Sequence, residues 1–191
     1  VKLAILGGSF DPVHLGHLFI AEEARVSLGF DRVLFVPAGS PPHKDLSNMI
    51  PDRRRLELLR IALAGREDFQ VIDWEMSRNA PSYTIETVRR VVEEFRPEGA
   101  PGLIIGDDLT EGFEKWREVD RLCEMVQLIV ARRNGAIADS FEREHLRIDN
   151  IPLPVSSSQL RERIRNGRAY RYLVPEGVYS VIKQQGLYAQ S

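Results

Sequence analysis

Apolar residues along the chain switch repeatedly between two periods. Lys2–Leu6 is a short apolar run closed by Gly7-Gly8, the pattern of a buried strand. From His17 to Leu28 the period becomes helical, with Leu18, Ala21, Ala24 and Leu28 three or four apart and Gly29 as the stop. Arg32–Val36 predicts a second strand, ended by Pro37, and a loop rich in Gly, Ser and Pro runs to Pro51. Asp52 is placed to cap a helix reaching Ala64. Beyond it, Phe69–Ile72 predicts a strand, Ile85–Phe95 a helix, and Gly102–Ile105 and Val126–Ala131 two more strands. The polar stretch Arg132–Glu144 reads as a surface loop. Ser156–Ser158 then leads into a helix over Leu160–Arg165, and Pro175–Gln185 forms a last helix ended by Gly186. Strands alternating with helices imply an α/β, Rossmann-like, doubly wound parallel sheet covered on both faces. The small C-terminal helical part packs on the end of the sheet. No linker or repeat interrupts the pattern, so residues 1–191 are expected to form a single domain.

Composition changes this picture little. Hydrophobic residues make up 43% and charged residues 28% of the 191, and the formal net charge of −2 supplies no global field for a nucleic-acid partner. Tyr170 and Tyr172 lack the basic, aromatic sheet face of a nucleic-acid platform. The single cysteine, Cys123, lies in the apolar-periodic stretch Val119–Val126 and reads as a core residue. One thiol cannot form an internal disulfide framework, which suits a reducing compartment. No apolar run approaches the ~20 residues of a membrane span, and the opening apolar run is too short for a secretory signal. A cytoplasmic protein without a membrane partner is expected. No signal for a particular oligomeric state stands out.

The first strand-to-helix junction is Gly7-Gly8-Ser9-Phe10-Asp11-Pro12-Val13-His14-Leu15-Gly16-His17. Ligands of an open parallel sheet collect beyond the carboxyl ends of its strands. There the two glycines let backbone come close to a ligand, and the amides of Gly8, Ser9 and Phe10 can bind an anion. His14 and His17, three apart, can face one phosphate group, and Gly16 between them carries no side chain to obstruct it. A helix-capping histidine beside a surface histidine is the plainer alternative. Neither Gly-x-Gly-x-x-Gly nor Gly-x-x-x-x-Gly-Lys-Ser/Thr occurs, which argues against a dehydrogenase or a P-loop kinase. Ser156–Ser158 offers hydroxyls and amides at a positive helix end, with Arg161 one turn further in; an ordinary serine cap with a solvated arginine is the alternative reading. Thr84 is a plausible cap for the helix after Ser82-Tyr83, Trp116 offers a flat stacking face or a core residue, and Asp108 follows a strand end where it could accept from ribose hydroxyls. Asp107 receives no role.

The run Gly8–His17 resembles the signature of nucleotidyltransferases related to class I aminoacyl-tRNA synthetases, whose His-x-Gly-His binds ATP phosphates. Pro41-Pro42-His43-Lys44, Ser82-Tyr83-Thr84, Gly106-Asp107-Asp108 with Trp116, and Ser156-Ser157-Ser158-Gln159-Leu160-Arg161 follow in the order seen in bacterial nicotinate-mononucleotide adenylyltransferases. The similarity covers nearly the whole chain and is weakest across Arg132–Ile151. Where the family carries Ile-Ser-Ser-Thr, this chain has Val155 and Ser158 in the first and fourth places, which keeps the apolar anchor and the hydroxyl.

This resemblance implies adenylyl transfer from ATP to nicotinate mononucleotide, giving nicotinate adenine dinucleotide and pyrophosphate in NAD biosynthesis. His14, His17 and Arg161 would then be catalytic. ATP would meet Gly8, Ser9, Phe10, His14, His17, Gly106, Asp108, Ser156, Ser157 and Arg161. The acceptor would meet His43, Lys44, Ser82, Tyr83, Thr84 and Trp116. Mg²⁺ is expected to arrive with ATP, with no protein metal cage. Phosphopantetheine adenylyltransferase shares the first motif, but typically has Thr where His14 stands. A nucleotide-binding regulator without turnover would be expected to have a damaged phosphate clamp, whereas His14, His17 and Arg161 are all present.

Overall fold

The computed structural model describes residues 1–39, 49–77, 81–133 and 141–189. In chain order the elements are β1 (Leu3–Gly8), α1 (Leu15–Leu28), β2 (Arg32–Pro37), α2 (Asp52–Ala62), β3 (Phe69–Val71) and α3 (Thr84–Phe95). Then follow β4 (Gly102–Gly106), α4 (Val119–Met125), β5 (Gln127–Ala131), β6 (Leu146–Arg147), α5 (Ser157–Arg165) and α6 (Glu176–Gln185). The strands form one parallel sheet in the order β3-β2-β1-β4-β5-β6, the doubly wound arrangement expected from the alternating pattern. Its order reverses between β1 and β4, and the crevice at that reversal opens past the glycine loop.

Alternation along β1 divides the interior into two layers. Ala4 and Leu6 join Phe10, Ala21, Phe35, Leu58, Leu160 and Val178 beneath α1, α2, α5 and α6. Leu3 and Ile5 join Leu34, Ile85, Val88, Leu103 and Leu122 beneath α3 and α4. Each large apolar side chain so buried contributes about 1.5–3 kcal/mol against leaving it in water.

Several elements depart from the sequence-based expectations. β1 runs on through both glycines, and α1 begins two residues before His17, with His14 as its N-cap. Asp52 and Thr84 are not caps: Pro51 and Tyr83 hold those positions, so both residues stand in the first turn of their helices. Helix α4 was expected only as an apolar stretch, because seven residues give barely two turns of periodicity. Strand β6, two exposed residues paired to Ile129 and Val130, is too short to show alternation at all. Cys123 is half-buried rather than fully buried, packed on the margin of the second layer, and burial pushes its thiol up. Among the described residues no helix is long and apolar enough to cross a membrane.

Candidate active site

A cavity of about 1100 Å³ lies past the carboxyl ends of β1 and β4. Gly8, Ser9, His14, His17, Gly106, Asp108, Ser156, Ser157 and Arg161 line it from one side, and Ser82, Tyr83, Thr84 and Trp116 from the other. The sequence motifs, up to 153 positions apart from Gly8 to Arg161, thus meet in one cavity. His43 and Lys44 lie outside the described residues.

The glycine loop is shaped from below. Phe10 adopts a left-handed backbone (φ 45°), uncommon for an aromatic residue, and its fully buried ring comes to lie under the loop. A Cβ on Gly8 would stand 3.2 Å from that ring, so glycine is what permits the close approach. The same ring meets His17 edge-on at 4.9 Å.

Both histidines sit at the start of α1. Their rings stack with centroids 3.6 Å apart, and the His14 amide donates to His17 Nδ1 at 3.2 Å. In accepting that bond, Nδ1 carries no proton, which places the ring proton of His17 on Nε2. His14 is 1% exposed and, among the described residues, neither of its ring nitrogens has a hydrogen-bond partner. Burial, helped by the positive charge of Arg133, pushes its pKa down to about 3. Of the cap-and-surface alternative, the cap half holds, with His14 as N-cap, but the surface half does not: His14 is buried, and His17 is half-buried with its side chain bonded to the helix start. His14 is a neutral donor at ordinary pH, and the positive charge comes from arginines.

Ser156 and Ser157 are partly committed inside the chain. Ser156 Oγ accepts from the Gln159 amide at 3.2 Å while Gln159 Oε1 accepts from the Ser156 amide at 3.1 Å, a capping box. Ser157 Oγ donates to the Pro12 carbonyl at 3.0 Å. What α5 then presents to the cavity is its amino-terminal amides and dipole rather than those two hydroxyls. Arg161 reaches the loop as well: Nη1 donates to the Asp11 carbonyl at 2.7 Å, Nη2 to Ser158 Oγ at 3.3 Å, and the Asp11 carboxyl is 3.5 Å away.

Sequence reasoning missed Arg55. Its side chain is fully buried and donates to the carbonyls of Ser9 (2.6 Å), Ala38 (2.8 Å) and Gly39 (3.3 Å), with Asp52 Oδ1 at 2.6 Å as counter-charge. It therefore ties the β1 loop to the β2 loop. In the run Arg53-Arg54-Arg55 nothing local sets it apart from its neighbours, yet it stands three and four positions before Leu58 and Leu59, on the buried side of α2.

Asp107, left without a role by the sequence, accepts from the Arg133 amide at 3.0 Å and so joins the ends of β4 and β5. Asp108 pairs with the Arg133 guanidinium at 3.2 Å. A Cβ on Gly106 would collide with both the Asp108 carboxyl and the Arg133 stem, so this glycine leaves room for the ion pair. Arg133 was also missed; its only sequence signal is a basic pair directly after a strand end.

Across the cavity, α3 presents its first amides behind Tyr83. Ser82 Oγ is buried and has no hydrogen-bond partner among the described residues. Trp116 leans on Phe113 at 4.9 Å, leaving part of its surface towards the cavity. Glu86, in the first turn of α3, lies 3.5 Å from the Arg117 guanidinium, which itself sits 4.5 Å over the Tyr83 ring. Thr87 Oγ1 donates to Glu75 at 2.6 Å.

A doubly wound sheet with a glycine loop leading into His-x-Gly-His at its switch point defines a nucleotidyltransferase. The family model described as cytidylyltransferase-like matches residues 5–163. The Borreliella burgdorferi protein named "Probable nicotinate-nucleotide adenylyltransferase" is 36% identical over 192 residues, covering 100% of this chain and 98% of that protein. Its namesake from Geobacillus kaustophilus is 39% identical over 189 residues, covering 98% of this chain and 86% of its own length. The fold is also that of "Plasmodium falciparum nicotinic acid mononucleotide adenylyltransferase complexed with NaAD", at a TM-score of 0.80 and 18% identity over 98% of this chain and 97% of that one. The chain belongs to the cytidylyltransferase-like family and, within it, to the nicotinate-nucleotide adenylyltransferases.

Proposed function

We propose that the chain transfers the adenylyl group of ATP to nicotinate mononucleotide, releasing pyrophosphate and forming nicotinate adenine dinucleotide. The observation that carries this reading is the single cavity, which joins the His14–His17 helix start to the Ser82–Thr84 and Trp116 wall. One nucleotide is gripped by its phosphates on the first side, and the flat base of a second lies against the other.

In this reading the phosphate oxygen of the mononucleotide attacks the α-phosphorus of ATP as the bond to pyrophosphate breaks. That oxygen is already anionic near neutral pH, so no strong protein base is needed and no covalent protein intermediate forms. The protein's task is to align two mutually repelling phosphates and to stabilise the charge that develops between them. The ring of His14 has a donor to give and no partner among the described residues, and a phosphoryl oxygen would supply one. His17, the Gly8–Phe10 amides, the start of α5 and Arg161 complete the cradle. Gly106 leaves space for Asp108, whose carboxyl is held by Arg133 where it could accept from ribose hydroxyls.

The donor set also fits a magnesium ion carried by the triphosphate and water. Around the glycine loop stand imidazoles, amides and a guanidinium, which suit phosphate oxygens better than a cation. The Asp11 and Asp108 carboxyls each face an arginine. Bound with ATP, Mg²⁺ would neutralise charge on the departing pyrophosphate.

For the acceptor, the α3 amides and the unpartnered Ser82 hydroxyl offer donors to a ring carboxylate. The Arg117 pairing offsets the opposing charge of Glu86. Pyrophosphate release, measured with ATP and each of nicotinate mononucleotide, nicotinamide mononucleotide and 4′-phosphopantetheine, tests the proposal. Release with the first above the other two is expected; release only with phosphopantetheine, or with none, would overturn it.

A further inference from the structure

The last turn of the chain reaches back to the first loop. Tyr188 Oη donates to Asp11 Oδ1 at 2.7 Å, across 177 positions of sequence. The Asp11 side chain is buried, and its other oxygen has no hydrogen bond among the described residues but lies 3.5 Å from Arg161. Arg161 in turn donates to the Asp11 carbonyl, inside the loop that leads to His14. Tyr188 stands in the left-handed region (φ 65°), two residues after Gly186 (φ 61°), and its ring packs against the layer beneath α1, α2, α5 and α6. An aromatic residue rarely adopts this backbone, so tertiary contacts hold it there.

A buried carboxyl must find partners. Here a phenol and a guanidinium share it, and only the guanidinium also lines the cavity. We infer that Tyr188 is a positioning residue for the nucleotide cradle: by occupying one oxygen of Asp11, it keeps Arg161 from being drawn fully onto the carboxyl and away from the triphosphate. The phenol suits this task because desolvation and the neighbouring Asp11 push its pKa far above the ordinary tyrosine range, which keeps it a donor. The inference rests on the assignment of ATP to this side of the cavity.

Tyr188→Phe removes the hydroxyl and keeps the ring. Loss of one hydrogen bond to a buried carboxyl, transmitted through Arg161, should weaken ATP binding about tenfold by isothermal titration, with the mononucleotide affinity unchanged. A structural role alone would lower the melting temperature and move both affinities together, or neither; either result would overturn the inference. The same change made on Asp11→Asn separates the cases again, and serves if the single variant does not fold. With no carboxylate left to draw Arg161, adding Tyr188→Phe should then cost ATP binding less than about twofold, by the non-additivity expected of coupled groups. A further tenfold loss on that background would also overturn it. Failure of the wild-type protein to bind ATP or release pyrophosphate would remove the functional reading itself, whereas normal wild-type turnover beside an unaltered Tyr188→Phe variant removes only this inference.

Discussion

Around the glycine loop, polar groups are largely joined to one another. Arg55 holds the Ser9 and Ala38 carbonyls, Ser157 holds Pro12, Arg161 holds Asp11, and Tyr188 closes the set. Across the cavity the Ser82 hydroxyl is buried without a partner among the described residues, α3 opens its first amides, and Trp116 is only partly covered. The first region is fixed before any ligand arrives, with His14 as its one ring without a hydrogen-bond partner among the described residues. The second carries donors that have no partner among the described residues and are open to a ligand. A reaction that gathers several negative charges at one phosphorus gains most from a rigid cradle, because no reorganisation is needed at the moment of transfer. Choosing between similar acceptors instead gains from groups that are left unpaired by the wrong one.

The sharpest way to break the comparison is at the cradle. His17→Ala should lower turnover by about 10²–10³-fold, the usual loss for one transition-state donor, while circular dichroism shows the fold intact. Near-normal turnover in the folded variant would take His17 out of the cradle.

The cradle should also be sensitive to acid. His14 has a folded pKa of about 3 against 6.5 unfolded, so below pH 6.5 the unfolded chain binds a proton that the folded chain refuses. Stability is therefore complete above pH 6.5 and falls as pH drops towards 3. One proton contributes about 1.4 kcal/mol per pH unit, so roughly 2 kcal/mol should be lost between pH 6.5 and 5. Urea midpoints across this range, for the wild type and for His14→Gln, measure it. Parallel curves would show that His14 does not carry the slope.

On the acceptor side, a carboxylate that gains a charge-assisted hydrogen bond where an amide does not should favour nicotinate mononucleotide by at least about tenfold in kcat/KM. Equal concentrations of both mononucleotides in one reaction, with the products resolved by chromatography, give that ratio directly. Ser82→Ala should reduce it, and equal yields from the wild type would end the acceptor assignment while leaving adenylyl transfer intact.

The smallest effect is expected at Trp116. Stacking contributes about 0.5–1.5 kcal/mol, so Trp116→Ala should weaken both acceptors by about two- to tenfold and leave ATP affinity unchanged. A change in ATP affinity would place the ring on the other side of the comparison.

What was legible in the sequence follows the same division. The strand runs, the glycine loop and the His-x-Gly-His spacing are local patterns, and they were enough to place the parallel sheet and many of the residues lining the cavity. Arg55, Asp11 and Tyr188 were not singled out, because their roles arise only when distant segments meet. Arg55 acts on Ser9 from 46 positions away and Tyr188 on Asp11 from 177. The protonation of His14 was likewise beyond periodicity, since it depends on burial and on Arg133 at the end of another strand. The misplaced caps at Asp52 and Thr84 have a simpler cause: polar residues suited to a cap can equally occupy the first turn, and Pro51 and Tyr83 took the boundary instead.

The alternation of β1 has one more consequence. Ala4 and Leu6 support the layer under the glycine loop, while Leu3 and Ile5 support the layer under α3, with the sheet between them. Sequence drift on one face is thereby insulated from the other. A lineage can remodel the packing behind Ser82–Thr84 until a different acceptor is welcomed, and the apparatus that holds the triphosphate is inherited undisturbed. Diversity of acceptors on a constant donor grip is what such a partition makes easy to evolve.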